Sequence, residues 1–397
     1  MNLLIKNANI IDYNKNFIGD ILIKDGFIEK VEKNIEIYCD EIIDLKEKII
    51  MPGFIDLHSH FRDPGFPEKE TLETGINAAI KGGYTTVNLM ANTKPVCDNM
   101  DTINYILKKA EEINKIDIYQ TVSATKNLEG KDCSHLNNII HPKVKFISDD
   151  GKGIESDEVL IEVFKKSKEK DMLLISHAEY SEIFKTDTRE AENKMTFRDI
   201  DIAEKTNSKI HIAHVSTKEA IEYIIKAKNK NVKVTCEIMP HHISLTGEKI
   251  YRVNPPIREK EDINKIIEAI KNDYVDIIAT DHAPHTFEDK KNGAPGISGI
   301  ETSFSVCYTY LVKSNHISLS KLSQLMSQRP AEILKEKKGK IEKGYIADLI
   351  IVDIEEKYIL KEEDIISKGK NTPFIGFELF GKVKTVIKNG NKIFEEV

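Results

Sequence analysis

The chain has 397 residues, 40% of them hydrophobic, with 58 basic and 65 acidic side chains and a net charge of −7. That length suits one large domain plus a smaller one, and the charge gives no electrostatic reason to expect a nucleic acid or an anionic membrane as partner. The five cysteines (Cys39, Cys97, Cys133, Cys236 and Cys307) are odd in number and contain no Cys-x-x-Cys, which argues against a thiolate zinc knuckle and a disulfide framework and for a reducing cytoplasm.

Residues 1–49 read as short strands. LLIKNANII and DILIKDGFIEKV alternate, and Asp25-Gly26 is a hairpin turn signal. Asn and Asp come too early for a secretory signal, and no apolar run approaches the length of a membrane span. From residue 50 onward strands and helices alternate. Strand-like runs are Phe54–Leu57, Thr85–Met90, Ile116–Val122, Val144–Ile147, Leu173–Ile175, Ile210–Ala213, Val232–Glu237 and Val275–Ala279. Between them Thr71 to Ile80 reads as a helix ended by Gly82-Gly83, and Asp101, Ser156 and Thr217 each precede a helical apolar stripe that they can cap. The last segment returns to strands, with Ala347–Val352 and a hairpin over Val383–Phe394 turning at Asn389-Gly390. Eight strands each followed by a helix or long loop predict a (β/α)8 TIM-type barrel over 50–340. Residues 1–49 and 341–397 together predict a small β-sandwich domain. A doubly wound sheet is the alternative, but it does not ordinarily need eight parallel strands.

Catalytic groups in such a barrel sit at the carboxyl ends of strands, so the residues that follow each run carry the functional signal. His58 and His60 follow the first, one residue apart and therefore on one side of the strand, with Arg62 beyond. Asp149 and Asp150 follow the fourth, His177 the fifth, His214 the sixth and Asp281 the eighth. Each alone is an ordinary turn residue or helix cap; their convergence on one rim is what points to a site. Imidazole and carboxylate donors without thiolate suit zinc or another divalent metal with open positions, and this many donors suit two. A carboxylate between two metals can bridge them. Asp281 can ligate one metal and also move the proton of an attacking water, which is the chemistry of amide hydrolysis or its reverse. His135, His141, His211, His241, His242 and His316 carry no assignment.

The motifs DLHSHFRDPG (56–65), MANTKP (90–95), SDDG (148–151), SHAEY (176–180), HVST (214–217), NPPIR (254–258), ATDHAPH (279–285) and GISGIET (296–302) occur in that order. With the closing stretches GKIEKGYIADLIIVD and NTPFIGFELFGKVKTVIKNG, they resemble the amidohydrolase superfamily, and within it the type I dihydroorotases of pyrimidine biosynthesis, along essentially the whole chain. The resemblance implies that His58 and His60 with Asp281 bind one zinc, that His177 and His214 bind a second, and that Asp150 bridges them. It implies Asp281 as catalytic acid/base and a substrate held by His60, Arg62, Asn92, Asn254, His285 and the Pro295-Gly296 backbone. The implied reaction is the reversible cyclisation of N-carbamoyl-L-aspartate to L-dihydroorotate. Implied partners are this small molecule, a second copy in a homodimer, and aspartate transcarbamoylase; nothing in the sequence requires the last two.

Ser59 and Asp63 replace residues more usually apolar and Glu, and Ala91 stands where Pro is common. Some relatives bridge their metals with a carboxylated lysine on the fourth strand, where this chain has Lys145. The complete DDG turn favours Asp150. Hydantoinases and allantoinases share the metal site but do not usually carry an arginine two residues past the second histidine. The remaining alternative, a non-catalytic scaffold relative, would ordinarily have lost ligands. The polar segment 286–295 reads as a lid.

Overall fold

The computed structural model describes residues 2–247 and 251–396. Five strands open the chain: β1 (Asn2–Ile11), β2 (Asn16–Lys24), β3 (Phe27–Glu32), β4 (Glu41–Asp44) and β5 (Ile49–Pro52). Eight follow in the middle: β6 (Phe54–Ser59), β7 (Tyr84–Leu89), β8 (Asp117–Gln120), β9 (Phe146–Ile147), β10 (Leu173–Ser176), β11 (Ile210–Ile212), β12 (Val234–Ile238) and β13 (Ile277–Ile278). Three close it: β14 (Leu349–Ile359), β15 (Glu378–Lys388) and β16 (Asn391–Glu395).

The first and last groups form one continuous sheet in the order β16-β15-β14-β5-β1-β2-β3, with β4 also on β1. The two hairpin turns anticipated from Asp-Gly and Asn-Gly lie between β2 and β3 and between β15 and β16. Asp25 (φ 50°) and Asn389 (φ 50°) adopt the left-handed backbone such turns require. Because β5 pairs with β1 and β14, the terminal sheet runs on to Pro52 before the barrel begins.

The eight middle strands are all parallel, in the runs β6-β7-β8 and β9-β10-β11-β12-β13. Isolated bridges Val122–Ile147 and Ser59–His282 join the runs at both seams and close the ring. Inward-pointing Ile55, Leu57, Met90, Tyr119, Phe146, Ile175, Ala213, Met239, Ile277 and Ala279 pack as one buried cluster with Ala331 and Leu334 of the helix Arg329–Leu334, which covers the amino-terminal end of the strands. Only the carboxyl end is left for a site.

The surrounding helices begin where short polar side chains take the first free N–H groups. Thr71, Ser156 and Thr217 do so ahead of the helices Leu72–Lys81, Asp157–Lys170 and Lys218–Asn229. For Met100–Ile113 the cap is Asn99 and not Asp101. Asn99 is extended (φ −147°) and accepts from Thr102 N, whereas Asp101 already lies in the first turn, where its charge favours the positive helix end. Buried Lys338 and Lys388 pair with Asp348 at 3.0 and 2.8 Å and also with Asp117 of β8, which ties the barrel to the terminal sheet. No helix among the described residues is long and apolar enough to cross a membrane, and all five cysteines are buried free thiols.

Candidate metal centre and active-site cavity

The parallel strands deliver their terminal residues to one rim. His58 lies in β6 and His60 just past it; their rings stand 5.4 Å apart. Asp150 follows β9, His177 follows β10, His214 follows β11 and Asp281 follows β13. His214 (φ 31°) and Asp281 (φ 46°) adopt left-handed backbone, uncommon for non-glycine residues and tolerated where the surroundings impose it at functional positions. The Asp281 N–H donates to the His58 carbonyl (2.9 Å) and the His60 N–H to the His282 carbonyl (2.8 Å), so barrel closure itself brings the first and last ligating positions together.

Two donor groups result. The donor atoms of His58, His60 and Asp150 lie within 4.8 Å of one another, and so do those of Asp150, His177 and His214. Asp150 belongs to both groups. Its Oδ1 is 3.2 Å from His58 Nε2 and 3.4 Å from His177 Nδ1, and its Oδ2 is 3.5 Å from His60 Nε2. Asp281 Oδ1 joins the first group, 3.0 Å from His60 Nε2 and 3.6 Å from His58 Nε2. His177 Nδ1 and His214 Nε2 are 2.9 Å apart, a distance at which they share one proton or face one cation.

The electrostatics call for cations. Burial alone would lower the His58 pKa, yet Glu237 and Asp150 raise it well above the ordinary value. Burial likewise opposes charge on His177, while Asp150 and Glu179 bring its pKa up to about 9. Burial would raise both aspartates, but the surrounding histidines hold Asp150 and Asp281 below the usual carboxylate range. His58 Nδ1 is taken by Glu237 Oε1 (2.5 Å), which leaves Nε2 buried, aimed at two carboxylates and without a hydrogen-bond partner among the described residues. The residues therefore fit divalent metal ions, which would take the place of protons there.

Lys145 lies elsewhere. It precedes β9 and lines a cavity with Leu173, Val234 and Leu334 at the opposite, amino-terminal end of the barrel. Lys145 lines that cavity, whereas Asp150 lines the one at the opposite rim with the histidine donors. Asp149 points away as well, its carboxylate accepting from Thr125 N at 2.9 Å.

A cavity of about 230 Å³ opens over the donors, lined by His60, Arg62, Asn92, Asp150, His177, His214, Asn254, Asp281, His285, Pro295 and Gly296 among others. Arg62 reaches it through a left-handed turn (φ 51°) and not by strand alternation, since β6 ends at Ser59. Arg62 Nε donates to Pro284 O (3.2 Å) and Nη2 to His285 Nε2 (3.1 Å), which engages two of its five N–H donors. Burial and Arg62 push the His285 pKa down to about 3, so its ring is neutral. Asn92 accepts from His60 Nδ1 (2.8 Å) and donates to Asp150 Oδ2 (3.1 Å). Asn254 Nδ2 donates to Glu179 Oε2 (2.7 Å). Segment 286–295 contains the short helix Phe287–Lys291. Lys290 Nζ there donates to the carbonyls of Arg252, Ala294 and Gly296 at 2.8–3.0 Å, which holds the segment against the rim.

Two residues of the site lie outside the set expected from the sequence. Glu237 of β12 holds His58, and its second oxygen lies 3.3 Å from His211 Nε2. Its signal is a carboxylate near the end of the seventh strand, in register with the other rim groups. Glu179 stands 3.5 Å from His177 Nε2, two residues beyond it in SHAEY. Carboxylates behind ligating histidines fix the tautomer and ring orientation. Glu237→Gln should therefore lower metal affinity by about 10- to 100-fold while leaving the fold intact; a competition titration with a chromophoric chelator measures this, and unchanged affinity would remove Glu237 from the site.

With barrel, rim ligands and cavity in place, the class is defined: the chain belongs to the amidohydrolase family, whose model matches residues 49–393. Its relatives include proteins named dihydroorotase from Clostridium botulinum (strain Eklund 17B / Type B), 50% identical over 98% of each chain, and from Thermoanaerobacter sp. (strain X514), 40% identical over 98% of this chain and 96% of the relative. Among solved structures, the L-hydantoinase (dihydropyrimidinase) of Arthrobacter aurescens superposes with a TM-score of 0.90 over 99% of this chain and 96% of its own, at 23% identity. The dihydropyrimidinase of Brevibacillus agri NCHU1002 gives 0.87 over 100% and 95%, at 22% identity. At those identities the structures speak for the fold alone.

Proposed function

We propose that this protein is a dihydroorotase, interconverting N-carbamoyl-L-aspartate and L-dihydroorotate in pyrimidine biosynthesis. The reading rests on relatives of that name matched end to end, and the observation that carries it within the site is Arg62. Dihydroorotate bears a carboxylate. A half-buried guanidinium with donors to spare, on the wall of a cavity whose floor holds the metal donors, suits such a group.

In this reading His58, His60 and Asp281 would hold one zinc and His177 and His214 a second, with Asp150 shared by both donor groups. When bound, the metals supply Lewis-acid polarisation of the ring carbonyl and a nucleophilic water near neutral pH. The chain does the rest. Arg62, Asn92, Asn254, His285 and the backbone of Pro295-Gly296 orient the substrate so that the scissile amide faces the metal donors. Asp281, kept as a carboxylate by His60 and His58 despite its burial, accepts the proton of the attacking water and returns it to the ring nitrogen as the C–N bond breaks. The products are the new side-chain carboxylate and the ureido NH2 group of N-carbamoyl-L-aspartate. Cyclisation runs the same steps backwards and releases water.

A second reading, a hydantoinase-like cyclic-amide hydrolase, is compatible with the fold that the chain shares with solved hydantoinases. Purified, zinc-loaded protein should turn over dihydroorotate and N-carbamoyl-L-aspartate, lose that activity on chelation and regain it with zinc. Activity confined to hydantoins and dihydropyrimidines would select the second reading. Elemental analysis of the active protein gives the number of metals.

A further inference from the structure

The connection between β14 and β15, residues 360–377, leaves the terminal sheet and lies against the open end of the barrel. Ile366 N and Ser367 N donate to Glu301 (3.0 and 2.8 Å), and Lys368 N donates to Glu70 (3.2 Å). Gly369 passes so close to the rim that a Cβ there would sit 2.6 Å from His285 N. Asn371 then uses all of its side-chain hydrogen-bonding capacity on two segments of the cavity wall. Its Oδ1 accepts from His285 N (2.7 Å) and Ser298 Oγ (2.8 Å); its Nδ2 donates to Ala283 O (3.1 Å) and Gly296 O (3.0 Å). A primary amide has two acceptor sites and two donors. Here all four are directed at the stretches 283–285 and 296–298, which carry His285 and Gly296.

We propose that this connection is a brace through which the terminal domain sets the substrate-facing wall of the cavity, with Asn371 as its positioning residue. The inference rests on reading that cavity as the cyclic-amide site. Asn371 does not line the cavity and meets none of the six metal-donor side chains, so it acts through the residues it holds. Gly296 has a positive-φ backbone (φ 136°) that leaves no room for a side chain, since a Cβ would lie 2.7 Å from Ala283 Cβ, and Asn371 holds its carbonyl in that conformation. Lys290 Nζ supplies the second hold on that same oxygen (3.0 Å).

The test uses the full-length, zinc-loaded chain with Asn371→Ala. KM for dihydroorotate should rise about tenfold or more with kcat changed by less than about threefold, since Asn371 holds the wall that binds the substrate and not the metal donors, and lost uniform binding raises KM alone. Metal content should be unchanged, and amide hydrogen exchange without substrate should quicken over 283–298 but not over β6. Should Asn371→Ala fail to fold, Gly369→Ala displaces the same wall by its added methyl and should give the same pattern. Phe374→Leu, buried in the same connection, serves as the control that loosens packing: it should lower Tm without the KM-selective change. KM within twofold of the parent, or exchange over 283–298 no faster than in Phe374→Leu, would overturn the proposal. Activity of the parent chain tests the substrate reading separately, and the exchange comparison holds whichever cyclic amide is turned over.

Discussion

Asp281→Asn should give a folded protein whose kcat is lower by about 10²- to 10⁴-fold, the usual contribution of a positioned acid/base. The substitution keeps the side chain's shape and the backbone bond from Asp281 N to His58 O that closes the barrel (2.9 Å). What it removes is the ability to take a proton and give it back. An amide is also a poorer metal ligand, so the measurement is kcat in saturating zinc alongside elemental analysis. His58, His60 and Asp150 still offer one donor group and Asp150, His177 and His214 the other, and metal should remain. Near-normal turnover with metal bound would show that another group carries the proton, and would end the assignment of Asp281.

Arg62→Met should leave metal content unchanged and raise KM for dihydroorotate by about 10- to 150-fold, the equivalent of about 1.5–3 kcal/mol for a hydrogen bond to a charged group. Two effects combine. The carboxylate loses its cationic partner, and His285 loses the Arg62 Nη2 donor that its Nε2 accepts at 3.1 Å. A neutral hydantoin presents no carboxylate, so its KM should change far less. That contrast separates substrate recognition from general damage to the cavity. If KM for dihydroorotate stays within twofold of the parent, Arg62 has a structural part only, and the preference for an acidic cyclic amide over a hydantoin loses its basis in the site.

The two variants probe different halves of one arrangement. Asp281 sits with the metal donors, where mutual proximity of carboxylates and imidazoles creates the demand for cations. Arg62 sits on the wall, where in the proposed function its fixed charge would select among cyclic amides. Solved hydantoinases and dihydropyrimidinases at 22–25% identity share the fold that presents the first half. The wall is built largely from loops, the part of a shared scaffold on which specificity is carried.

Local pattern in the amino-acid sequence determines the metal-donor half. Strand residues alternate with a period of two and barrel strands end on one rim, so His58, His60, Asp150, His177, His214 and Asp281 form a convergent set on that pattern alone. Polar caps and Asp-Gly or Asn-Gly turns act within four residues, and most of the element boundaries follow from them; Asn99 displaces Asp101 as a cap only because the chain is still extended there. Other features have no local signature. Whether Lys145 or Asp150 faces the donors depends on which end of a two-residue strand each occupies, and that is decided by how the barrel closes. Glu237 behind His58 and the four bonds of Asn371 to 283–298 join residues 179 and more than 70 positions apart. Such pairings arise from tertiary packing, between two barrel strands for Glu237 and between the terminal domain and the barrel wall for Asn371, so no period, cap or turn in the chain announces them.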